Sequence, residues 1–511
     1  MKGKINQLKA GVLLSYLSIG ASTLISIIYT PVMLRLLGQS EYGLYQLAYT
    51  VVSYLGLLSF GFGSAFMRFY SRYKAQDNQQ GLARLNGMFL TIFSIIGIIA
   101  LIAGAFLVAN VGAIFKGGLT DGEIVKARVL MILMVFNVAI SFPASVFDSN
   151  VTAQEKYLFQ RVVSLLRSVF NPLLTLPLLL LGFKSIGLVV VTTVLTVASL
   201  AVNIWYCLKR LNIKFSFRRF DKSLMGEIWV FSFFIFLNMI TDQINWSVDK
   251  FILGKFAGTI GVAVYSVGAQ LNTYYMSFST SISSVFIPRI NRMVAQAEDD
   301  WKLTELFTRV GRVQFLILSY ILGGLVILGQ YFIPVWAGEG YDISYQIALL
   351  LIIPVTIPLI QNLGIEIQRA KNMHKFRSVV YILIAVGNIF ISIPLCRAYG
   401  AGGAAVGTAL SLIVGNGILM NWYYHNKVGL DILFFWRQII KLFPAVLAAT
   451  AVGMAIKLTV GINSIGIFLI AGVIYTVAFI ACMWFFGMNA YEKELFSSPV
   501  KKLAGRWKKG A

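Results

Sequence analysis

The feature of this sequence that most restricts its fold is a series of long apolar runs. Fourteen runs contain 18 or more residues with few charges. About 20 residues at roughly 1.5 Å of rise cross a hydrocarbon layer of about 30 Å, so each run is long enough for a membrane-spanning helix. The runs lack the alternation of apolar and polar residues that the lipid-facing strands of a membrane β-barrel require. The sequence therefore predicts an all-α polytopic membrane protein with about 14 transmembrane helices. These spans 1 to 14 cover residues 10–34, 44–66, 85–109, 128–148, 159–181, 185–207, 226–248, 260–287, 311–334, 343–366, 376–395, 401–424, 437–457 and 463–486.

The charge distribution explains a net charge that would otherwise suggest a nucleic-acid partner. The chain carries 12% charged residues and a formal net charge of +23. Loops on the side of the N-terminus sum to +20, whereas loops on the opposite side sum to +2. An excess of Lys and Arg marks the cytoplasmic side of a membrane protein. We therefore expect a multi-pass protein with both termini in the cytoplasm, in contact with membrane lipids and with no nucleic acid.

An internal repeat predicts two lobes. Residues 45–76 align without a gap on residues 265–296, with 8 of 32 positions identical, including the pair Arg72 and Arg292. Six spans separate the two copies, so both halves cross the membrane in the same sense. In transporters built from repeats, the substrate site lies at the interface between them.

The predicted organisation therefore has two parallel six-helix lobes around a central cavity. The segments are an N-lobe with spans 1 to 6 (1–212), a C-lobe with spans 7 to 12 (213–428), an accessory pair with spans 13 and 14 (429–488), and a basic cytoplasmic tail (489–511).

Span 7 carries a polar stripe. Asn238, Asp242, Asn245 and Asp249 are spaced 4, 3 and 4 residues apart and so share one helical face. An ionised carboxylate at membrane depth costs about 2.5 to 3.5 kcal/mol, so this face must meet water, a partner or a proton. We predict that it lines the cavity. Asp242 is the candidate for ion coupling, while Asp249 and Lys250 lie near the outer end as candidates for a gate or a headgroup contact.

Spans 1 and 8 carry matching polar faces. Ser18 and Ser22 lie on a face of small residues in span 1, which predicts either a cavity wall or close helix packing; for this helix considered alone, packing is favoured. Gln270, Thr273 and Ser277 share one face of span 8, where lipid would not favour them. We predict that these side chains contribute to the substrate cavity.

Two further charged residues each have two open interpretations. Arg167 lies about 12 Å into span 5 by helical rise. It either lines the cavity or extends its side chain toward the cytoplasm. Glu366 is either a gating or coupling carboxylate or the partner of Arg369 in an ion pair at a helix end; the ion pair is favoured.

The residues that carry most enzymatic and metal chemistry are sparse. The three cysteines lie on three different spans and both histidines lie at helix ends, so neither a metal site nor another bound cofactor is expected. No loop exceeds about 25 residues, which leaves no room for a soluble domain of ordinary size. We therefore expect a protein that is not an enzyme.

Three stretches resemble a known family. They are "PVMLRLLGQSEYGLYQLAY" and "FGFGSAFMRFYSRY" in the first lobe and "DKFILGKFAGTIGVAVYSVGAQL" in the second. They are similar to the polysaccharide-transporter branch of the MOP (MATE-like) superfamily, the Wzx-type O-antigen and exopolysaccharide flippases. The resemblance implies movement of an undecaprenyl-pyrophosphate-linked oligosaccharide, the repeat unit of O-antigen, capsule or exopolysaccharide, across the bacterial cytoplasmic (inner) membrane.

The resemblance also implies alternating access, coupling to H⁺ or Na⁺, and polymerase and chain-length proteins of a glycan assembly pathway as partners. Arg35, Arg68 and Arg289 are the candidates for lipid or pyrophosphate contacts. They lie at helix ends, whereas the related lipid II flippases lead us to expect cations within the cavity. The alternative function is a MATE-type proton- or sodium-coupled multidrug antiporter that would use Asp242.

Overall fold

The computed structural model of the protein describes residues 7–217, 222–371 and 373–507. Within these ranges, some side chains lie outside the description: those of residues 7–19, 222, 223, 234, 238, 374, 375 and 499–507. The described residues form helices joined by short turns, and they contain no β-strand. The predicted all-α class is confirmed.

The helices of the first half of the chain are α1 (Gln7–Leu37), α2 (Gln39–Ser53), α3 (Phe62–Ala75), α4 (Gln79–Ile114), α5 (Asp121–Ala153), α6 (Tyr157–Leu180), α7 (Lys184–Lys209), α8 (Lys222–Phe256) and α9 (Gly258–Ala295). A 3₁₀ segment, Tyr54–Ser59, joins α2 to α3. The helices of the second half are α10 (Asp300–Ala337), α11 (Ile343–Ile360), α12 (Asn362–Ala370), α13 (His374–Leu412), α14 (Asn421–Tyr423), α15 (Ile432–Ile440), α16 (Phe443–Thr459), α17 (Ile465–Cys482) and α18 (Ala490–Trp507). Three π-helical segments are Ile413–Met420, Tyr424–Val428 and Met483–Gly487.

Twelve stretches of the described chain are long and apolar enough to cross a membrane. One of them, Phe376–Val428, has 53 residues and contains two crossings, because Gly400 has the non-helical angles φ 57° and ψ −134°. A Cβ on Gly403 would lie 2.0 Å from the Leu395 carbonyl oxygen, so the chain folds back closely on itself at this turn. The polar helix α9 is not among the twelve, but its 38 residues extend roughly 57 Å. The described helices thus agree with about fourteen crossings.

The chain packs as two compact units. Unit 1 consists of Met1–Ser266 with Ile393–Ala404, and unit 2 consists of Val267–Ser392 with Ala405–Ala511. These units are defined by packing and not by the internal repeat, so the lobe boundary at residue 212 stays a prediction. Aromatic side chains build the core of unit 1, where Phe66 and Phe89 meet edge to face at 5.2 Å between ring centroids.

Unit 1 holds a polar network at the ends of its helices that the charge distribution assigns to the outer side. Glu41 is buried, pairs with Lys126 and accepts a hydrogen bond of 2.6 Å from the Ser185 hydroxyl. Glu123 forms a capping box with Thr120 at the start of α5. Carboxylates and cations compensate each other here, in agreement with the zero net charge of the loops at 35–41 and 116–126.

Unit 2 fixes its C-terminal helix through a buried ion pair. The Arg312 guanidinium on α10 donates two hydrogen bonds to the Glu492 carboxylate of α18, at 2.5 and 2.9 Å. Arg312 is 5% exposed and Glu492 is 1% exposed. A bidentate pair of this kind fixes geometry as well as contributing energy. The predicted tail beyond residue 489 therefore begins with a helix anchored to unit 2.

Candidate functional site

A polar seam joins α2 and α8 within unit 1. The Gln243 side-chain amide donates to the Ser53 hydroxyl at 2.6 Å, and the Lys250 ammonium lies 3.5 Å from the side-chain carbonyl of Gln46. Both contacts join residues about 200 positions apart in the sequence. Since hydrogen bonds at membrane depth have no water to compete with them, they hold the two helices in one register.

Asp249 is the buried carboxylate of this region. It is 3% exposed and accepts a hydrogen bond of 2.6 Å from the Tyr265 hydroxyl on α9. Asp242, by contrast, is exposed, and Asn245 is half-buried. The side chain of Asn238 lies outside the described residues. The predicted stripe thus comprises one carboxylate held inside the fold, Asp249, and one exposed carboxylate, Asp242.

Close backbone contacts within unit 1 seal one end of α2, α8 and α9. A Cβ on Gly43 of α2 would lie 1.8 Å from the Thr259 carbonyl oxygen of α9. A Cβ on Gly118 would lie 2.2 Å from the carbonyl oxygen of Gly254 on α8. Thr259 also donates from its hydroxyl to Glu123 at 2.8 Å. Unit 1 is therefore closed at this end in the present conformation.

Two adjoining cavities deeper in unit 1 share Arg167, Ser141 and Thr196. Their volumes are about 390 and 280 Å³. We call them together the Arg167 pocket. Its other polar lining residues are Tyr45, Tyr49, Ser53, Asn137, Thr192, Asp148, Gln160, Ser164, Ser199 and Asn203. Ser53 lines the larger cavity, so the pocket adjoins the α2–α8 seam.

Hydrogen bonds orient the polar groups of the Arg167 pocket. The Arg167 guanidinium donates to the Thr196 hydroxyl at 2.8 Å, and Asp148 lies close enough to interact with Arg167 electrostatically. Asn137 donates to the Thr193 hydroxyl at 2.9 Å. Its side-chain carbonyl is buried without a hydrogen-bond partner among the described residues. A buried, unsatisfied acceptor next to an empty volume is a place where a ligand hydroxyl gains a hydrogen bond.

The composition of the Arg167 pocket determines the ligands it can accept. Hydroxyls, amides and tyrosine rings suit a hydroxyl-rich molecule, because such a ligand offers both donors and acceptors along with apolar faces. A guanidinium also binds phosphate oxygens through two parallel hydrogen bonds. The structure places Arg167 in a cavity wall, which is one of the two interpretations that the sequence left open. Its role in binding stays a prediction.

The small-residue face of α1 contacts α6 beside this pocket. The Ser22 hydroxyl donates to the hydroxyl of Ser168, the residue after Arg167, at 3.1 Å. This contact is close helix packing, which was favoured for this helix considered alone. The side chain of Ser18 lies outside the described residues.

The polar residues of α9 divide between two faces in unit 2. Gln270 is half-buried, Thr273 and Ser277 are exposed, and each makes a hydrogen bond within its own helix. The opposite face is buried, where Gln314 donates to the Ser279 and Ser283 hydroxyls. The predicted face thus presents the hydroxyls of Thr273 and Ser277 outward.

The remaining candidates lie at helix ends. Glu366 accepts a hydrogen bond of 2.9 Å from Arg369, which is the ion pair that the sequence favoured. Arg68 is exposed and stacks over the Phe231 ring at 4.8 Å. Arg35 and Arg289 are also exposed. None of these positions is assigned to a ligand by geometry alone.

Sequence reasoning missed several polar residues. Asn137, Asp148 and Asn203 line the Arg167 pocket, and only their position inside apolar spans signalled them. A buried cluster in unit 2 was also missed: Ser392 donates to Asn388 at 2.8 Å, and Asn388 donates to Thr408 at 3.4 Å. Within the part of the chain that the structure describes, no group of three or more His, Cys, Asp or Glu side chains is placed to hold a metal ion.

Comparison with known proteins gives the family and the fold. The family model described as "Polysaccharide biosynthesis protein" matches residues 8–294. An uncharacterized membrane protein of Bacillus subtilis, EpsK, is 22% identical over 95% of this chain and 96% of its own length. The probable low-salt glycan biosynthesis flippase Agl15 of Haloferax volcanii is 26% identical over 51% of this chain and 52% of its own length.

Solved structures of two kinds share the fold. The lipid II flippase MurJ in an inward closed conformation superposes with a TM-score of 0.74 at 16% identity, covering 96% of this chain and 99% of that one. An inward-facing multidrug resistance MATE family transporter of the MOP superfamily superposes with a TM-score of 0.63 at 12% identity, covering 82% of this chain and 95% of that one. The fold is thus that of MOP-superfamily membrane transporters. Because this family model matches more than half of its length, the chain belongs to the polysaccharide biosynthesis protein family.

Proposed function

We propose that this protein is a flippase that moves a lipid-linked oligosaccharide across the bacterial cytoplasmic membrane by alternating access. The observation that carries the proposal is the Arg167 pocket, a polar cavity within membrane-spanning helices that combines hydroxyl, amide, aromatic and guanidinium groups. Family membership and relatives named as flippases support it. The polar head of the substrate would enter such a cavity while its polyprenyl tail remains in the lipid.

The proposed substrate is an undecaprenyl-pyrophosphate-linked repeat unit of O-antigen, capsule or exopolysaccharide. Sugar hydroxyls would pair with groups such as Asn137, whose carbonyl lacks a partner among the described residues. The Arg167 guanidinium is suited to the negative pyrophosphate. Polymerase and chain-length proteins of the same assembly pathway would receive the product on the outer side.

The proposed orientation places both termini in the cytoplasm. The excess of +20 in the loops on the N-terminal side supports it. With that orientation, the sealed ends of α2, α8 and α9 in unit 1 face outward.

Ion coupling through Asp242 is part of the proposal. Asp242 is exposed and so is accessible to H⁺ or Na⁺, whereas Asp249 is only 3% exposed. We therefore assign coupling to Asp242 and gating to Asp249 and Lys250. The protein acts as a transporter and not as an enzyme.

The test is complementation of a strain that lacks its own flippase, with surface glycan measured by immunoblot. Arg167→Ala removes the only guanidinium shared by the two cavities and is expected to reduce export at least about tenfold, because a lost charge-assisted hydrogen bond costs about 1.5 to 3 kcal/mol. The control is Arg84→Ala on α4, an exposed arginine outside the pocket. Normal export by the Arg167→Ala variant, at normal membrane abundance, would contradict the assignment of this pocket.

Asp242→Ala tests the coupling assignment in the same assay. Export is expected to stop while membrane abundance is unchanged, because an exposed side chain contributes little to packing. If both Asp242→Ala and Asp249→Ala export normally, the stripe on α8 has no part in transport.

The second candidate function is a MATE-type multidrug antiporter, which the exposed Asp242 carboxylate and the shared fold favour. It predicts pH-dependent resistance to cationic drugs and no change in surface glycan on deletion. Restored glycan without any change in drug resistance would reject it.

A further inference from the structure

A basic cleft lies between the inner ends of α9 and α10 in unit 2, outside the pocket described above. Its volume is about 670 Å³. The charged residues that line it are Arg289, Arg292, Glu298, Lys302, Glu305 and Arg309. Four cations face two carboxylates, so the cleft has an excess of positive charge.

Each of the two carboxylates forms an ion pair with a cation of α10. Lys302 lies 3.4 Å from Glu298, and Arg309 lies 2.7 Å from Glu305. Arg289 and Arg292 have no carboxylate within ion-pair distance among the described residues, and both are exposed. The excess charge of the cleft is therefore located on these two arginines of α9.

The geometry of the two arginines suits a phosphate group. They are three residues apart and so lie on the same face of α9. The side-chain amide of Gln296, one turn further along, also lines the cleft. Each guanidinium presents a planar fork of donors that matches phosphate oxygens, and a hydroxyl-rich neutral ligand would have no need of two adjacent cations.

The opposite wall of the cleft is held in place by α18. Arg309 stacks over the Tyr491 ring at 4.6 Å, and the next residue of α18, Glu492, forms the buried bidentate pair with Arg312. A wall fixed in this way keeps the cleft open, because Arg309 is committed to Glu305 and Tyr491 and does not close onto α9.

The internal repeat provides a comparison within the same chain. Arg72 is the counterpart of Arg292, and both lie near the inner ends of their helices. Arg72 pairs with Glu227 at 3.2 Å in unit 1, whereas Arg292 lines a cleft without such a partner. The general excess of Lys and Arg on the cytoplasmic side of membrane proteins applies to both positions. It therefore does not explain why Arg72 has a carboxylate partner and Arg292 has none among the described residues.

We propose that the basic cleft binds a phosphate-bearing headgroup at the inner membrane surface, with Arg289 and Arg292 as its ligands. The headgroup is that of a phospholipid or the pyrophosphate of a polyprenyl-linked substrate, and the chemistry recognised is the same. If the ligand is the polyprenyl-linked substrate, this proposal rests on the proposed function. The cleft would then hold the substrate before it enters the transport pathway.

The test is native mass spectrometry of the purified full-length protein in detergent. Three probes are titrated separately: phosphatidylglycerol, undecaprenyl pyrophosphate and inorganic pyrophosphate. The variant carries Arg289→Gln and Arg292→Gln, and the matched control carries Arg72→Gln, which removes a similarly placed inner cation. Thermal unfolding of each protein verifies that these exposed substitutions leave the fold intact.

We expect the double variant to bind the recognised probe at least about tenfold more weakly than the wild type, while the control stays within about twofold. The preferred probe identifies the source: a phospholipid, the substrate headgroup or a free phosphate. Unchanged binding by the double variant, or an equal loss in the control, would overturn the proposal. Binding is read without transport, so a failure of glycan export in cells would count against the proposed function and not against the cleft.

Discussion

Substitution of Gly43 by alanine tests whether the sealed outer end is one state of a two-state transporter. The added methyl group would meet only backbone atoms, at 1.8 Å from the carbonyl oxygen and 2.6 Å from the carbonyl carbon of Thr259. Real Cβ atoms essentially never approach closer than 3.0 Å, so α2 and α9 must separate by about 1.2 Å in the closed state. Alanine also favours a helix over glycine by about 1 kcal/mol, so any destabilisation of this state comes from the contact.

The size of the effect follows from typical costs of overpacking. An added methyl in a tight contact costs about 1 to 3 kcal/mol, which shifts the ratio of closed to open states by roughly 5- to 150-fold. In an outward-open state in which α2 and α9 separate, the added methyl group would no longer meet Thr259. We therefore expect Gly43→Ala to favour the outward-open state.

Thiol labelling in intact cells measures the shift. A cysteine replaces Ser53, which lines the Arg167 pocket, in a protein whose three native cysteines are replaced by serine. A membrane-impermeant maleimide added from outside should label this position at least about fivefold faster in the Gly43→Ala protein. Gly56→Ala is the control, because a Cβ there meets nothing within 4 Å. Equal labelling rates with and without the Gly43→Ala substitution, at equal abundance, would refute the inferred gate.

Two further predictions concern the stability of buried polar contacts. Glu492→Ala leaves the Arg312 charge buried without its carboxylate and should lower stability by about 3 to 5 kcal/mol, seen as an earlier thermal unfolding of the purified protein. Glu305→Ala removes a surface carboxylate and should cost at most about 1 kcal/mol, so similar losses in both variants would contradict the prediction. Tyr265→Phe removes a hydroxyl donor from the buried Asp249 carboxylate and should cost about 1.5 to 3 kcal/mol in the same measurement. An unchanged unfolding temperature would show that this hydrogen bond contributes nothing.

The helical membrane fold follows from local properties of the sequence. Apolar runs of fixed minimum length leave few options in lipid, because all backbone groups must bond within the segment. The shared face predicted from the polar spacing within α8 likewise depends only on helical geometry. The same spacing does not give burial, which is why Asp242 and Asp249 differ in exposure although they lie on one stripe.

The contacts between distant residues could not be predicted from one sequence. Arg167 had two open interpretations because helical rise gives its depth but not the helices that surround it. Only the packing of α5, α6 and α7 places it between two cavities with Asp148 and Thr196. The turn at Gly400, by contrast, lies in the loop that the sequence placed between spans 11 (376–395) and 12 (401–424).

The anchoring of α18 has a consequence for how the chain is made. Arg312 and Glu492 are 180 residues apart. At a synthesis rate of about 5 to 20 residues per second, roughly 9 to 36 s pass between the addition of the arginine and that of its carboxylate. During this interval α10 carries a cation whose final partner does not yet exist, so this buried contact of unit 2 forms only after α18 has been synthesised.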